Sequence, residues 1–199
     1  MSTALGAALL FVVGGPANLI GEEYQLQAAK ARRASQLHSW LAARDGAVGG
    51  TADVVARSIL QESEKHSLDP VLVLAVIQIE SRFDRKAVST RGAQGLMQVR
   101  GAVVDELVGE GKIPARRHDL KDPQVNVEIG VSYLAHLVEM FGDLNIALAA
   151  YNWGPTRIRE KLAANQTIPS QYVSKVLRAQ RSLEIELAEI DAGAAVAAG

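Results

Sequence analysis

The chain contains no cysteine, which excludes disulfides and thiolate metal sites. That absence leaves the compartment open, because exported proteins without cysteine are common. Net charge is also nearly absent, at −1 over 199 residues. No general attraction to nucleic acid or anionic lipid follows, so any partner has to be argued from a site. The histidines are few and scattered: His38, His66, His118 and His136 form no i, i+4 ligand pair. Each reads as a surface or helix-terminal histidine. The glycine-rich stretches lack the Lys-Ser/Thr ending of a phosphate loop. Neither a metal nor a cofactor is expected. No run of alternating strand residues and no internal repeat is present, which points to an all-α class.

Charge is missing altogether from residues 1–21, "MSTALGAALLFVVGGPANLIG". The densest apolar part, Ala4 to Val13, has the length of a signal-peptide core and is short for a membrane span. A basic flank and a clean cleavage site are lacking. The segment is read as an export signal or membrane anchor, with a buried or frayed N-terminal segment as the alternative. Residues 22–50 follow as a polar leader helix, Glu22 to Arg44, and a glycine-rich hinge, "DGAVGG". Residues 51–180 are expected to form the main domain and 181–199 a helix end and loose tail.

What is present is a globular share of apolar residues, 48%, with strong helix punctuation. Asp53 to His66 has helical spacing. "LDPVL" offers Asp69 as N-cap and Pro70 in the first turn of a helix over Pro70 to Ser81. "KDPQVNVEIGVSYLAHLVEMFGD" repeats that start at Asp122 and Pro123 and ends at Gly142. Asn126, Gly130 and Tyr133 fall on one stripe of it with several apolar residues. Further helices are expected over Leu144 to Asn152, Thr156 to Ala164 and Ser170 to Ile190.

The chemistry is concentrated in three stretches. In "VLAVIQIESRFDR", seven of the eight residues from Leu72 to Ile79 are hydrophobic, and Glu80 follows. A carboxyl on such a face is desolvated, which favours its protonated form and suits it to act as an acid near neutral pH. The plainer reading is a helix-end residue paired with Arg82 or Arg85. "STRGAQGLMQV" has glycines that allow close backbone approach. It also presents Met97 as flexible apolar surface and Gln98 as an amide suited to sugar hydroxyls or N-acetyl groups. "ALAAYNWGP" ends a small-residue helix with Tyr151 and Asn152, whereas Trp153 reads as a core aromatic.

Taken in order, "IESRF", "GAQGLMQV" and "AYNWGP" resemble the lytic transglycosylases of the soluble type, bacterial enzymes that cleave peptidoglycan and have a lysozyme-like fold. The resemblance covers about Asp53 to Arg178 and includes "DPQVNVEIGVSYL" and "SQYVSKVL". It implies that Glu80 is the catalytic acid and base, cleaving between N-acetylmuramic acid and N-acetylglucosamine to leave a 1,6-anhydromuramoyl end. Ser81 would orient Glu80 or the sugar, and Gln98 would contact the acetamido region. Tyr151 would hydrogen-bond the catalytic carboxyl, with Asn152 and Tyr172 lining the same cleft. Two places depart from the family pattern: Asp84 and Arg85 stand where Asn-Pro is common, and Arg100 to Ala102 replace a Met-Pro-Thr-like run. Both bear on groove shape and substrate preference.

The partners implied are peptidoglycan glycan strands in the periplasm or cell envelope. Membrane association through the N-terminal segment and a secretion or conjugation machinery remain open. A hydrolytic muramidase on the same fold and a non-catalytic wall-binding scaffold are the alternatives.

Overall fold

The computed structural model describes residues 16–44, 50–115 and 119–197, with side chains between 21 and 190. Among these it contains eight helices: α1 (Pro16–Ala42), α2 (Ala52–His66), α3 (Pro70–Ser81), α4 (Gly101–Gly109), α5 (Pro123–Phe141), α6 (Leu144–Trp153), α7 (Pro155–Ala163) and α8 (Gln171–Ala197). The only β pairing among the described residues is two isolated bridges, Val88 with Gln94 and Gln94 with Val99. His118, and most of the segments 1–21 and 45–50, lie outside the described residues.

The helix starts follow the capping chemistry. Asp69 accepts from the Val71 amide at 2.8 Å, Asp122 from Val125 at 3.0 Å and Asp143 from Ile146 at 2.9 Å. Each such cap stabilises its helix by about 1 kcal/mol. Helix α3 ends where Arg82 and Phe83 turn left-handed, at φ 52° and 68°. Helix α5 ends at Gly142, where φ 66° suits a residue without Cβ.

Every residue of α3 from Val71 to Ile77 is buried. Full burial of a Val, Leu or Ile contributes about 1.5–3 kcal/mol, so this helix forms the centre of the core. It packs against α2 and α8; α5 packs against α2 and α6, and α6 against α7 and α8. The alanines at 147, 149 and 150 are fully buried, which lets α6 approach its neighbours closely.

The chain divides into two compact units, residues 1–33 and 34–199, within α1. In the first, the described side chains are mostly exposed, and Gln27 donates to Glu23 one turn away. In the second, Leu37, Trp40 and Leu41 are core residues. Trp40 donates through Nε1 to Glu186 at 2.9 Å, and its ring stands 5.2 Å from that of Phe83. The end of the expected leader helix is thus built into the larger unit, because its apolar stripe finds partners there. The tail also differs from expectation, since α8 runs on to Ala197 through alanine-rich sequence. No helix among the described residues is long and apolar enough to cross a membrane.

Candidate active site

Glu80 occupies the last turn of α3, where the apolar helix emerges into a cleft of about 400 Å³. The cleft is also lined by Gln98, Tyr151, Asn152, Trp153 and three arginines, Arg91, Arg100 and Arg157. Glu80 is the one carboxylate among its described lining residues. Asp84, the nearest acid in sequence, is exposed and accepts from the Lys86 amide at 2.8 Å, as a turn residue does.

The hydroxyl of Tyr172, from the first turn of α8, donates to Glu80 Oε1 at 2.6 Å. Burial pushes the Glu80 carboxyl up from its ordinary range, and the Tyr172 bond, which favours the ionised form, partly opposes this. The result is an acid that keeps its proton to higher pH than a free glutamate. Tyr172 itself is held well above its usual range by burial and by the neighbouring Glu80 charge, so it acts as a fixed donor.

Part of the cleft lining, from Ser89 to Arg100, comes from the loop between α3 and α4, and a fully buried amide holds that loop. Asn126, on α5, accepts from the Met97 amide at 2.8 Å. Its Nδ2 donates to the carbonyls of Gln94 at 2.8 Å and Leu120 at 2.9 Å. Two glycines make room. A Cβ on Gly95 would lie 2.4 Å from Asn126 Nδ2, and one on Gly130 would lie 2.5 Å from Met97 Sδ. Gln98 adopts φ 50°, and its Nε2 donates to the carbonyls of Ala87 at 3.2 Å and Gly95 at 3.0 Å. With the amide nitrogen so held, its carbonyl oxygen is the acceptor this side chain can offer a ligand.

Several sequence expectations change here. Tyr151 donates to the Met97 carbonyl at 2.8 Å, so it supports the loop, and Tyr172 is the partner of Glu80. Tyr151 still lines the cleft beside the buried Tyr133, whose hydroxyl burial pushes up to about 12. The Met97 side chain is 0% exposed, packed over Gly130, and presents no surface to a ligand. Ser81 donates to the Ile77 carbonyl at 3.2 Å, a bond within its own helix.

Trp153 is 42% exposed at the last position of α6, not a core residue. The Arg157 guanidinium lies over it at 4.5 Å. His136 lies buried in the middle of α5, neither at the surface nor at a helix end. Sequence reasoning missed the roles of Asn126 and Arg157. A lone amide on the apolar stripe of α5 was the signal for Asn126; nothing in the sequence marked Arg157.

Residues 57–173, more than half of the chain, match the Transglycosylase SLT domain family. A membrane-bound lytic murein transglycosylase C of Photorhabdus laumondii is 32% identical over 130 residues, covering 59% of this chain and 36% of the relative. Among solved structures, the 70 kDa soluble lytic transglycosylase of Escherichia coli aligns with a TM-score of 0.60 at 25% identity, over 76% of this chain and 30% of that one. The lytic transglycosylase Slt of Pseudomonas aeruginosa, solved as an inactive mutant with glutamine in place of a glutamate, aligns with a TM-score of 0.50 at 27% identity. That alignment covers 67% of this chain and 23% of the other. The chain thus spans little more than a third, at most, of the length of these relatives. The helices, their order and these matches agree: the chain belongs to the transglycosylase SLT domain family.

Proposed function

We propose that this chain is a peptidoglycan lytic transglycosylase in which Glu80 serves first as acid and then as base. The observation that carries the reading is the single carboxyl in the cleft, its pKa raised by burial and its position held by Tyr172. Glu80 gives its proton to the glycosidic oxygen between N-acetylmuramic acid and N-acetylglucosamine as the C1–O bond breaks. The carboxylate so formed takes the proton of the muramoyl 6-hydroxyl, whose oxygen closes onto C1. A 1,6-anhydro end results, and no water is consumed.

General acid catalysis of this kind contributes about 10²–10⁴-fold, and an internal nucleophile adds proximity. Hydrolytic glycosidases ordinarily place a second carboxylate across the bond. Here the N-acetyl group of the substrate would assist instead, and the free carbonyl of Gln98 would receive its N–H. Asn152 and Trp153 would flank the sugar at the cleft edge. The names of the relatives, both membrane-bound and soluble murein transglycosylases, support peptidoglycan as substrate and the cell envelope as the place of action. The domain limits proposed are 51–180 for catalysis, with residues 1–21 acting in export or anchoring.

Mass spectrometry of digested sacculi tests the reading. Anhydromuramoyl ends are expected from the wild type and none above background from E80Q. Reducing ends bearing an added water would replace it with a hydrolytic muramidase. Unchanged clearing by E80Q would remove Glu80 from its role, and no clearing by wild-type protein would leave a wall-binding scaffold.

A further inference from the structure

We propose that Glu106, Glu110 and His136 form a binding site for a divalent cation of the zinc type, which ties α4 to α5 beside the cleft. His136 is 8% exposed, and neither of its ring nitrogens makes a hydrogen bond. A buried imidazole without partners is costly unless something takes its lone pair or its proton. Its Nε2 points to two carboxylates, 3.3 Å from Glu110 Oε2 and 3.7 Å from Glu106 Oε1. One donor atom from each of the three residues lies within 4.8 Å of the others.

Donors at about 2.0–2.2 Å from a tetrahedral zinc ion stand about 3.4 Å apart. Two of the separations already have that size, and small rotations of the half-exposed glutamates would complete it. One imidazole with two carboxylates suits a borderline cation better than magnesium, which prefers oxygen alone. A neutral histidine, two carboxylates and a dication also sum to zero charge. Lys112, which lines a cavity with His136, is 2.5 Å from Glu139 and so has its own counter-charge.

The position gives the ion something to do. Helix α4 fully buries two side chains, Val103 and Leu107, with Val104 and Val108 only partly covered against the core. Arg100, its N-cap, lines the cleft. A cation bridging the end of α4 to the middle of α5 would hold that wall of the cleft in place.

Calorimetric titration of the dialysed full chain with Zn²⁺ tests this, alongside Co²⁺ absorption as an independent probe of the ligand field. One saturable equivalent is expected, with a rise in thermal midpoint that a chelator reverses. E106Q and E110Q change half-exposed groups that the core does not need. Each is expected to weaken binding by at least about tenfold, since even loss of a supporting contact to a metal ligand costs about 10–100-fold. H136A should abolish the Co²⁺ spectrum. Absence of a saturable equivalent would overturn the proposal. So would binding that survives both glutamine variants, or that disappears with H38A or H66A instead.

Discussion

Replacing Asn126 by alanine should collapse one wall of the cleft without touching any residue that lines it. The side chain is fully buried and makes three hydrogen bonds, one accepted from the Met97 amide and two donated to the Gln94 and Leu120 carbonyls. Truncation orphans two of the three backbone groups, the Met97 amide and the Leu120 carbonyl, while the Gln94 carbonyl keeps the Val99 amide at 3.0 Å. Each buried group so orphaned costs about 1–3 kcal/mol, and relaxation or an entering water recovers part of that. A net loss of roughly 2–4 kcal/mol follows, in the upper part of what single substitutions do. In a domain of this size, 1 kcal/mol moves the midpoint by about 2–4 °C, so the melt should fall by roughly 4–16 °C.

A second variant separates lost bonding from lost volume. Asn126→Asp keeps the acceptor for Met97 but turns both donors into an anion facing two carbonyl oxygens. Near neutral pH it should destabilise at least as much as alanine. On acidification the new carboxyl gains a proton it can donate, so N126D should recover relative to wild type at the same pH while N126A should not. Urea melts of the three proteins at pH 4.5 and 7.5 decide the matter. If N126A costs less than about 1 kcal/mol, or if N126D and N126A show the same pH dependence, the loop is not held by this amide.

Three further outcomes are expected. Gly130→Ala would set a Cβ 2.5 Å from Met97 Sδ and should cost about 1–3 kcal/mol in urea melts, because Met97 is packed on every side. Tyr172→Phe removes the bond that favours ionised Glu80, so the alkaline limb of kcat/KM, where Glu80 loses its proton, should move to higher pH. Glu80→Gln should stabilise the protein more at pH 8 than at pH 4 in paired thermal melts. The folded carboxyl binds its proton more tightly than the unfolded one, so wild-type stability falls as pH rises from the unfolded pKa through the folded one.

Much of the fold was legible because its signals are local. Asp69-Pro70 and Asp122-Pro123 cap helices at the residues expected, Asp143 caps α6 by the same chemistry, and Gly142 and Gly154 follow the ends of α5 and α6. Glu80 was legible for a similar reason: one acid ending an apolar run is a local anomaly. Partners across the fold were not. Tyr172 lies 92 residues from Glu80, and nothing in "SQYVSKVL" says which carboxyl its hydroxyl meets. Tyr151 was assigned that bond, yet its hydroxyl reaches the Met97 carbonyl, 54 residues away. Trp153 was misjudged because aromatic character suggests burial, whereas exposure is decided by where the helix stops.

The same packing that buries much of Glu80 at the cleft wall also raises its pKa. A carboxyl at the end of a polar helix would be solvated, ionised near neutral pH and useless as an acid. Placed one turn beyond Ile77 and bonded only to a neutral phenol, it is desolvated without meeting a cation that would drive its proton off. The three arginines of the cleft do not oppose this, since burial, not their charge, dominates the shift. The two effects separate by position: the core helix raises the pKa of Glu80, while the loop held by Asn126 carries Gln98, Arg91 and Arg100 into the cleft lining. A substitution that loosens the loop should therefore alter KM before it alters the pH profile. One that repacks α3 around Glu80 should do the reverse.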